Sequence, residues 1–316
     1  MLILCELGSP PARKKLYNSP TMKNDVVVAT DLDGTYFYPK KRLRLIAGPN
    51  YRLSQKIIEN GGRLLFVTSR NRFVLTKLKN KLKSDNFDLV ACNGAVIIRG
   101  GKIIRDISFE SDTLRKIIEH IDKVYNPSLL TLSSRSKNIV FRRRFLTFMF
   151  DIYNFWQHAL GEPFERDNDV FWDQVANGNV YKGMIFVGVG KKRREKARIM
   201  TEELAKAFPE AEWSWSDEVI EFTPKGCSKS VGLHFYLEYS GISPDNVLVV
   251  GDSGNDISMF DDFYEGSYCM SHAAKTVSSH AKHIIDKWSD IEEALYPSAD
   301  SKTPEESRED KHEPNQ

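Results

Sequence analysis

Four short apolar runs constrain this chain more than anything else in it: Val26 to Thr30, Leu64 to Thr68, Leu89 to Cys92 and Val247 to Val250. Each is uncharged and rich in branched aliphatic side chains, so a strand built from it must be covered on both faces. Helical patterns separate the first three. Segment 52–60 stops at Gly61-Gly62, the residues expected past a helix end, and a Lys-rich pattern covers 72–83. Strand, helix, strand, helix, strand implies a parallel sheet with right-handed crossovers. Val96 to Ile104 then reads as a hairpin about Gly100-Gly101.

The same rhythm returns late, with a helix over 228–239 ending at Gly241, the strand 247–250, a helix over 256–263 and shorter pieces to Leu295. The middle differs: helices over 114–124 and 192–208, a strand over 182–188 and a strand pair over 212–223. In the helix 192–208, Ala197, Met200, Leu204 and Ala207 share one side. The expected fold is α/β, a Rossmann-like doubly wound parallel sheet (23–109 and 222–296) with an inserted α+β cap domain (110–221). Residues 1–22 mix Ser-Pro-Pro with Arg13-Lys-Lys15, have no strand or helix period and read as a disordered leader, while 297–316, polar and Pro-containing, read as a disordered tail. No internal repeat is present.

Composition removes several function classes. The 45 Lys and Arg against 43 Asp and Glu leave a net charge of +2, no electrostatic case for a nucleic-acid or membrane partner. The four cysteines (Cys5, Cys92, Cys227, Cys269) form no CxxC pair, which suggests neither a zinc site nor a disulfide framework. No apolar run approaches the ~20 residues that span a bilayer. The expectation is a soluble, cytoplasmic protein.

The first buried strand delivers Asp31-Leu-Asp33-Gly34-Thr35 to the carboxyl edge of the sheet, where open α/β folds bind ligands. Carboxylates at i and i+2 share one side of an extended segment, and Gly34 permits a sharp turn after them. The strand ending at Val250 delivers a second acidic loop, Gly251-Asp252-Ser-Gly-Asn255-Asp256. Two such loops make an oxygen-rich pocket suited to Mg²⁺. Thr68-Ser69 offers hydroxyls to an oxyanion, although alone the pair reads better as a helix N-cap. Lys225 and Lys229 supply cations ahead of a helix.

Asp31-Leu-Asp-Gly-Thr35, Val67-Thr-Ser-Arg70, Lys225-Gly-x-x-Lys229 and Gly251-Asp-Ser-Gly-Asn-Asp256 follow the order of the four motifs of the haloacid dehalogenase superfamily. The chain resembles its Cof-type phosphatases, relatives of sucrose-phosphate and mannosyl-phosphoglycerate phosphatases. Asn93-Gly94-Ala95, Tyr181-Lys182 and Met270-x-x-Ala273 add to the likeness, which covers about residues 23 to 296. The resemblance implies a Mg²⁺-dependent hydrolase of small phosphorylated metabolites, sugar phosphates foremost. Asp31 would attack phosphorus and Asp33 would serve as acid and base. Asp31, the Asp33 carbonyl and Asp252 would hold Mg²⁺, supported by Asp256 and Asn255. Thr68 and Lys229 would hold the phosphoryl oxygens, with Ser69, Asn93, Gly94 and Asn255 about the substrate; Lys225 is the alternative to Lys229. Three positions depart from the family pattern: Ser69 stands for Gly, Tyr36 for Leu and His272 for Asn, and these bear on pocket shape.

Other features read as structural. Arg142-Arg-Arg144 could meet an anionic substituent if the insertion caps the site, but solvated arginines explain it equally. Lys191 to Arg194 opens a helix and needs solvent or an acidic partner there. His280-x-x-His283 lacks a third metal ligand. The aromatic stretch Phe145 to Trp156 suits a cap core or a subunit contact. A phosphomutase needs the same four motifs and stays open at this point; a non-catalytic phospholigand-binding protein would be expected to have lost one.

Overall fold

The apolar runs pair side by side. In the computed structural model, which describes residues 26–39, 46–127, 129–141, 154, 162–188 and 190–297, the first strands are Val27–Thr30 (β1), Arg63–Val67 (β2), Asp88–Ala91 (β3), Val96–Arg99 (β4) and Lys102–Asp106 (β5). Next come Leu129–Ser134 (β6), Asn138–Val140 (β7), Phe164–Glu165 (β8), Val180–Phe186 (β9), Ala211–Ser216 (β10) and Val219–Pro224 (β11). Val247–Gly251 (β12), Ser267–Met270 (β13) and His283–Ile285 (β14) complete the set. One sheet runs β14-β13-β12-β1-β2-β3-β4-β5, parallel from β14 to β3 and antiparallel through the last two strands.

Alternate residues of β1 enter different cores, as a sheet covered on both faces demands. Val26 and Val28 pack with Leu53 and Ile57 of Gly48–Glu59 (α1) and with Leu78 of Val74–Leu82 (α2). Later in the chain come Ser111–His120 (α3), Asn168–Ala176 (α4), Lys191–Ala207 (α5), Lys229–Ser240 (α6) and Ile257–Asp262 (α7). Val27 and Ala29 pack with Leu233 and Leu237 of α6 and Phe260 of α7. The hairpin turns at Gly100 (φ 55°) and Gly101 (φ 76°), the left-handed pair a two-residue turn needs.

The inserted domain is a second sheet, ordered β10-β11-β9-β6-β7-β8, with its own core. Leu114, Ile117 and Ile118 of α3, Phe171 and Val175 of α4, and Ala197, Met200 and Leu204 of α5 bury against Leu130, Ile185, Ile220 and Phe222. Ala207 does not share that side; it is exposed at the last turn of α5. The helix expected over 114–124 begins at Ser111, and beyond His120 a wider turn over 121–125 ends at Asn126 (φ 41°). At the first crossing between sheets, Ile107 N–H donates to the Ala95 carbonyl (2.9 Å) and Phe109 N–H to that of Val180 (2.8 Å). No described helix is long and apolar enough to cross a membrane.

Candidate active site

Asp31 follows β1 directly, and its N–H donates to the Val250 carbonyl at 2.9 Å, tying the first acidic loop to the strand that carries the second. The chain then turns at Gly34, φ +84°, where a Cβ would lie 2.2 Å from Asp252 Oδ2. Only glycine satisfies both the conformation and that approach. Thr35 Oγ1 donates to Asp252 Oδ1 at 2.7 Å. The two loops are thus fitted to each other atom by atom.

Lys229 joins them from beneath. Its Nζ donates to Asp31 Oδ1 and Asp256 Oδ1, both at 2.7 Å, and all three side chains are buried. Ser228 caps α6 by accepting from Val231 N–H, which fixes where Lys229 enters the site. Asp256 is fully committed: its Oδ2 accepts from the backbone N–H of Asp252 and Ser253, each at 3.0 Å. Burial would lower the Lys229 ammonium, but the carboxylates of Asp256 and Asp31 outweigh it and hold the amine charged. Burial pushes the Asp31 carboxyl up, with Lys229 opposing and Asp256 and Asp252 adding to the rise. Burial likewise raises Asp252.

Oxygens of Asp31, Asp252 and Asp256 all lie within 4.8 Å of one another. A compact set of hard oxygen donors fits Mg²⁺. Since both Asp256 oxygens already accept protein hydrogen bonds, Asp31 and Asp252 have the capacity to bind a cation directly while Asp256 braces the loop and Lys229. The Asp33 side chain is directed elsewhere. Arg70 grips it as a fork, Nε to Oδ2 at 2.6 Å and Nη2 to Oδ1 at 2.9 Å.

Thr68 follows β2 directly and is fully buried, and its Oγ1 accepts from Arg70 N–H at 3.1 Å. Cys92 and Asn93 adopt left-handed φ of 49° and 51°, which brings Asn93 N–H to the Thr68 carbonyl at 3.1 Å. Such strained residues persist where the surroundings over-determine them. Asn93 Nδ2 donates to Glu221 Oε2 at 2.9 Å, and Asn255 Nδ2 donates to the same oxygen at 2.9 Å. Asn93 Oδ1 is buried with no hydrogen-bond partner among the described residues. Gly94 serves a close approach, because a Cβ there would sit 2.3 Å from the Ser228 carbonyl oxygen. Ser69 lies half-buried on the same turn as Thr68.

The structure also supplies residues to which sequence reasoning gave no role. Glu221 of β11 and Lys182 of β9 form a buried ion pair (2.9 Å) that reaches Asn93 and Asn255 from the inserted domain. Burial alone would raise Glu221; Lys182 and the two amides overcome it and bring the carboxyl to about 2. Glu162, also buried, accepts from Arg70 Nη1 at 2.6 Å. Arg70 and Lys182 stood inside the quoted motifs, whereas Glu162 carried no sequence signal. A cleft of about 460 Å³ separates Thr201, Trp213 and Trp215 of the insert from Asn93, Lys229 and Asn255; neither Asp31 nor Thr68 lines it.

Other candidates fall away from this centre. Lys225 is exposed and pairs with Glu212 (3.1 Å), so Lys229 alone of the two enters the site. Tyr36 does not shape the pocket: it is buried among Phe66 and Trp288, and its hydroxyl bonds Ser54 at 2.8 Å. His272 does approach, its Nε2 being 3.5 Å from Asp252 Oδ2 and its ring stacked on Tyr38. His283 begins β14, and His280 bonds Asp261 instead. Arg194 and the N–H of Gly190 share Glu218, the acidic partner expected where α5 starts. Arg142 to Arg144 lie outside the described residues, as does the aromatic stretch 145–156 apart from Asn154.

The family profile of the haloacid dehalogenase-like hydrolases matches residues 28–294. The chain belongs to that family. It is therefore an enzyme of a hydrolase family, one whose solved members include phosphatases. It is similar to an uncharacterised hydrolase of Schizosaccharomyces pombe, 24% identical over 260 residues that span 77% of this chain and 80% of that one. In fold it is similar to a Streptococcus mutans protein, with a TM-score of 0.69 and 20% identity over 83% of this chain and 93% of the other. A subclass IIB sugar phosphatase of the same superfamily gives a TM-score of 0.64 at 17% identity, covering 84% and 95% of the two chains.

Proposed function

We propose that this protein is a Mg²⁺-dependent phosphomonoester hydrolase that acts on a small phosphorylated metabolite, a sugar phosphate foremost, through an aspartyl-phosphate on Asp31. The observation that carries the reading is the line Asp31–Lys229–Asp256 (2.7 Å at each step), with Asp252 beside it and a second carboxyl two residues beyond Asp31. In the first displacement an Asp31 oxygen bonds phosphorus as the ester oxygen leaves, and Asp33 gives that oxygen a proton. In the second, water attacks phosphorus and gives its proton to Asp33, which releases Asp31 and inorganic phosphate.

Two groups are suited to hold the transferring phosphoryl oxygens. Lys229 uses two of its three N–H donors on carboxylates and has a third to offer. Thr68 Oγ1 accepts from Arg70 N–H, so its own proton is available to donate. Mg²⁺ held by Asp31, Asp252 and the Asp33 carbonyl would screen the approach of carboxylate to phosphate. Thiols at Cys92, Cys227 and Cys269 suit a reducing compartment such as the cytoplasm.

The test is inorganic phosphate release across a panel of phosphorylated metabolites, without a bisphosphate activator. Release should stop on chelation of the metal. Asp31→Asn should lower turnover by about 10³-fold or more while leaving the fold intact. Full activity in that variant would sink the covalent route, and release only with a bisphosphate present would point to a mutase.

A further inference from the structure

Two neighbouring strands of the insert grip the second acidic loop at adjacent residues. Trp215 of β10 packs on Gly254, where a Cβ would lie 2.6 Å from both the indole and the Trp215 carbonyl oxygen. Glu221 of β11 accepts from Asn255 Nδ2 through Oε2 at 2.9 Å. Asn255 passes that tie into the loop, because its Oδ1 accepts from Ser253 Oγ at 2.8 Å. Ser253 follows Asp252, and the N–H groups of both residues donate to Asp256 Oδ2 at 3.0 Å. A continuous path of hydrogen bonds therefore runs from the insert to the loop that bears Asp252 and Asp256. Its outer end is anchored: Glu221 Oε1 accepts from Lys182 Nζ of β9 at 2.9 Å, and both side chains are buried. The insert thus presents a fixed acceptor to the loop.

We propose that Glu221 is a positioning residue for the divalent cation: with the insert seated it holds Asn255, sets the loop that carries Asp252, and so raises the affinity of the site for metal. The inference rests on the Mg²⁺ site of the proposed function and deepens it, because it makes the insert a part of the metal centre that supplies no ligand. The physical reason is preorganisation. Asp31 and Asp252 stand on different loops, and drawing both carboxylates to one cation costs the ordering of any loop that is free. Thr35 holds the Asp252 carboxylate from the first loop at 2.7 Å. Glu221, through Asn255, holds the backbone on the other side of it. Groups that orient a metal-binding carboxylate commonly change affinity by about 10- to 100-fold. The coupling is reciprocal, so a cation that prefers the seated insert favours seating by the same factor.

Cation affinity can be read without turnover. Mn²⁺, which suits the same hard oxygen donors, is titrated into the full-length protein while electron paramagnetic resonance counts the free ion. Wild type should bind Mn²⁺ that Mg²⁺ displaces. Glu221→Gln leaves one acceptor oxygen for three donors, and should weaken that binding about tenfold. Asn255→Ala cuts the same path on the loop side. In that background Glu221→Gln should change Mn²⁺ affinity by less than about twofold, whereas a general loosening of the insert would add in full. If Glu221→Gln does not fold, because Lys182 is left buried and charged, Lys182→Met combined with Glu221→Gln removes both charges and carries the same expectation. Unchanged affinity, or a tenfold loss that persists in the Asn255→Ala background, would overturn the proposal and leave the metal site and the phosphatase reading standing. Wild-type protein that binds no Mn²⁺ displaceable by Mg²⁺ would remove the metal site itself, and this inference with it.

Discussion

A lysine between two buried carboxylates is a structural member as well as a catalytic candidate. Asp31 and Asp256 are 5% and 0% exposed, and Lys229 is the cation that both share. Lys229→Met keeps the bulk of the side chain and removes the charge, which leaves two carboxylates together in a dry site. Breaking a buried pair in this way typically costs about 3–5 kcal/mol. The expected outcome is loss of phosphatase turnover together with an unfolding midpoint in urea far below that of wild type. Asp31→Asn should behave differently, because Lys229 keeps Asp256 and the amide can still accept a hydrogen bond. Similar urea midpoints for Lys229→Met and wild type would show that the site does not depend on this charge.

At the scale of the element, β11 carries the insert's side of the site. Glu221 lies mid-strand with its carboxyl held at about 2, below the usual 4.5, against the desolvation that would raise it. A depressed carboxyl contributes stability that is present above its unfolded value and lost as pH falls through the folded one. Glu221 should therefore stabilise the fold fully above pH about 4.5 and lose that contribution towards pH about 2. Asp31, Asp252 and Glu162 are raised by burial and act with the opposite sign, so the comparison has to be wild type against Glu221→Gln. The difference in urea stability between the two should be constant near neutral pH and shrink across that acid window. A difference that does not change from pH 5 to pH 2 would mean the carboxyl is not held low. Elements were also where the sequence was most readable. The uncharged runs at 26–30, 64–68, 89–92 and 247–250 each became a strand of one sheet, because double-sided burial leaves an unbroken apolar signature. Strands as short as β7 and β8, three and two residues long, leave almost none. Asp31, Asp252, Asp256 and Lys229 were legible because strand ends and a helix start place them locally. Glu162 was not, since its place beside the site depends on a contact with Arg70, 92 residues away in the sequence.

For the whole molecule, the central fact is that Asp31 is 5% exposed while the insert is tied to the core loops around it. On the proposed phosphatase reading a substrate must reach Asp31, and movement of the insert is the motion that would open the loops around it. The contacts that must yield are largely polar: Arg70 with Glu162, Asn71 with Asn138, and Asn93 and Asn255 with Glu221. Polar inter-domain surfaces of this kind separate at lower cost than either apolar core unfolds. Trp215 reports on that separation. It belongs to β10 of the insert, and it rests on Gly254 of the second acidic loop so closely that a Cβ there would lie 2.6 Å from the indole. Its emission, obtained as the difference between wild type and Trp215→Phe, should shift to the red in mild urea before the far-ultraviolet circular dichroism falls. Inorganic phosphate with Mg²⁺, bound at the loops beneath, should move that early transition to higher urea, because a ligand that binds the closed form favours it by mass action. A single coincident transition by both probes, unaffected by phosphate, would mean that the insert and the sheet below it unfold as one unit and that entry to Asp31 needs a different motion.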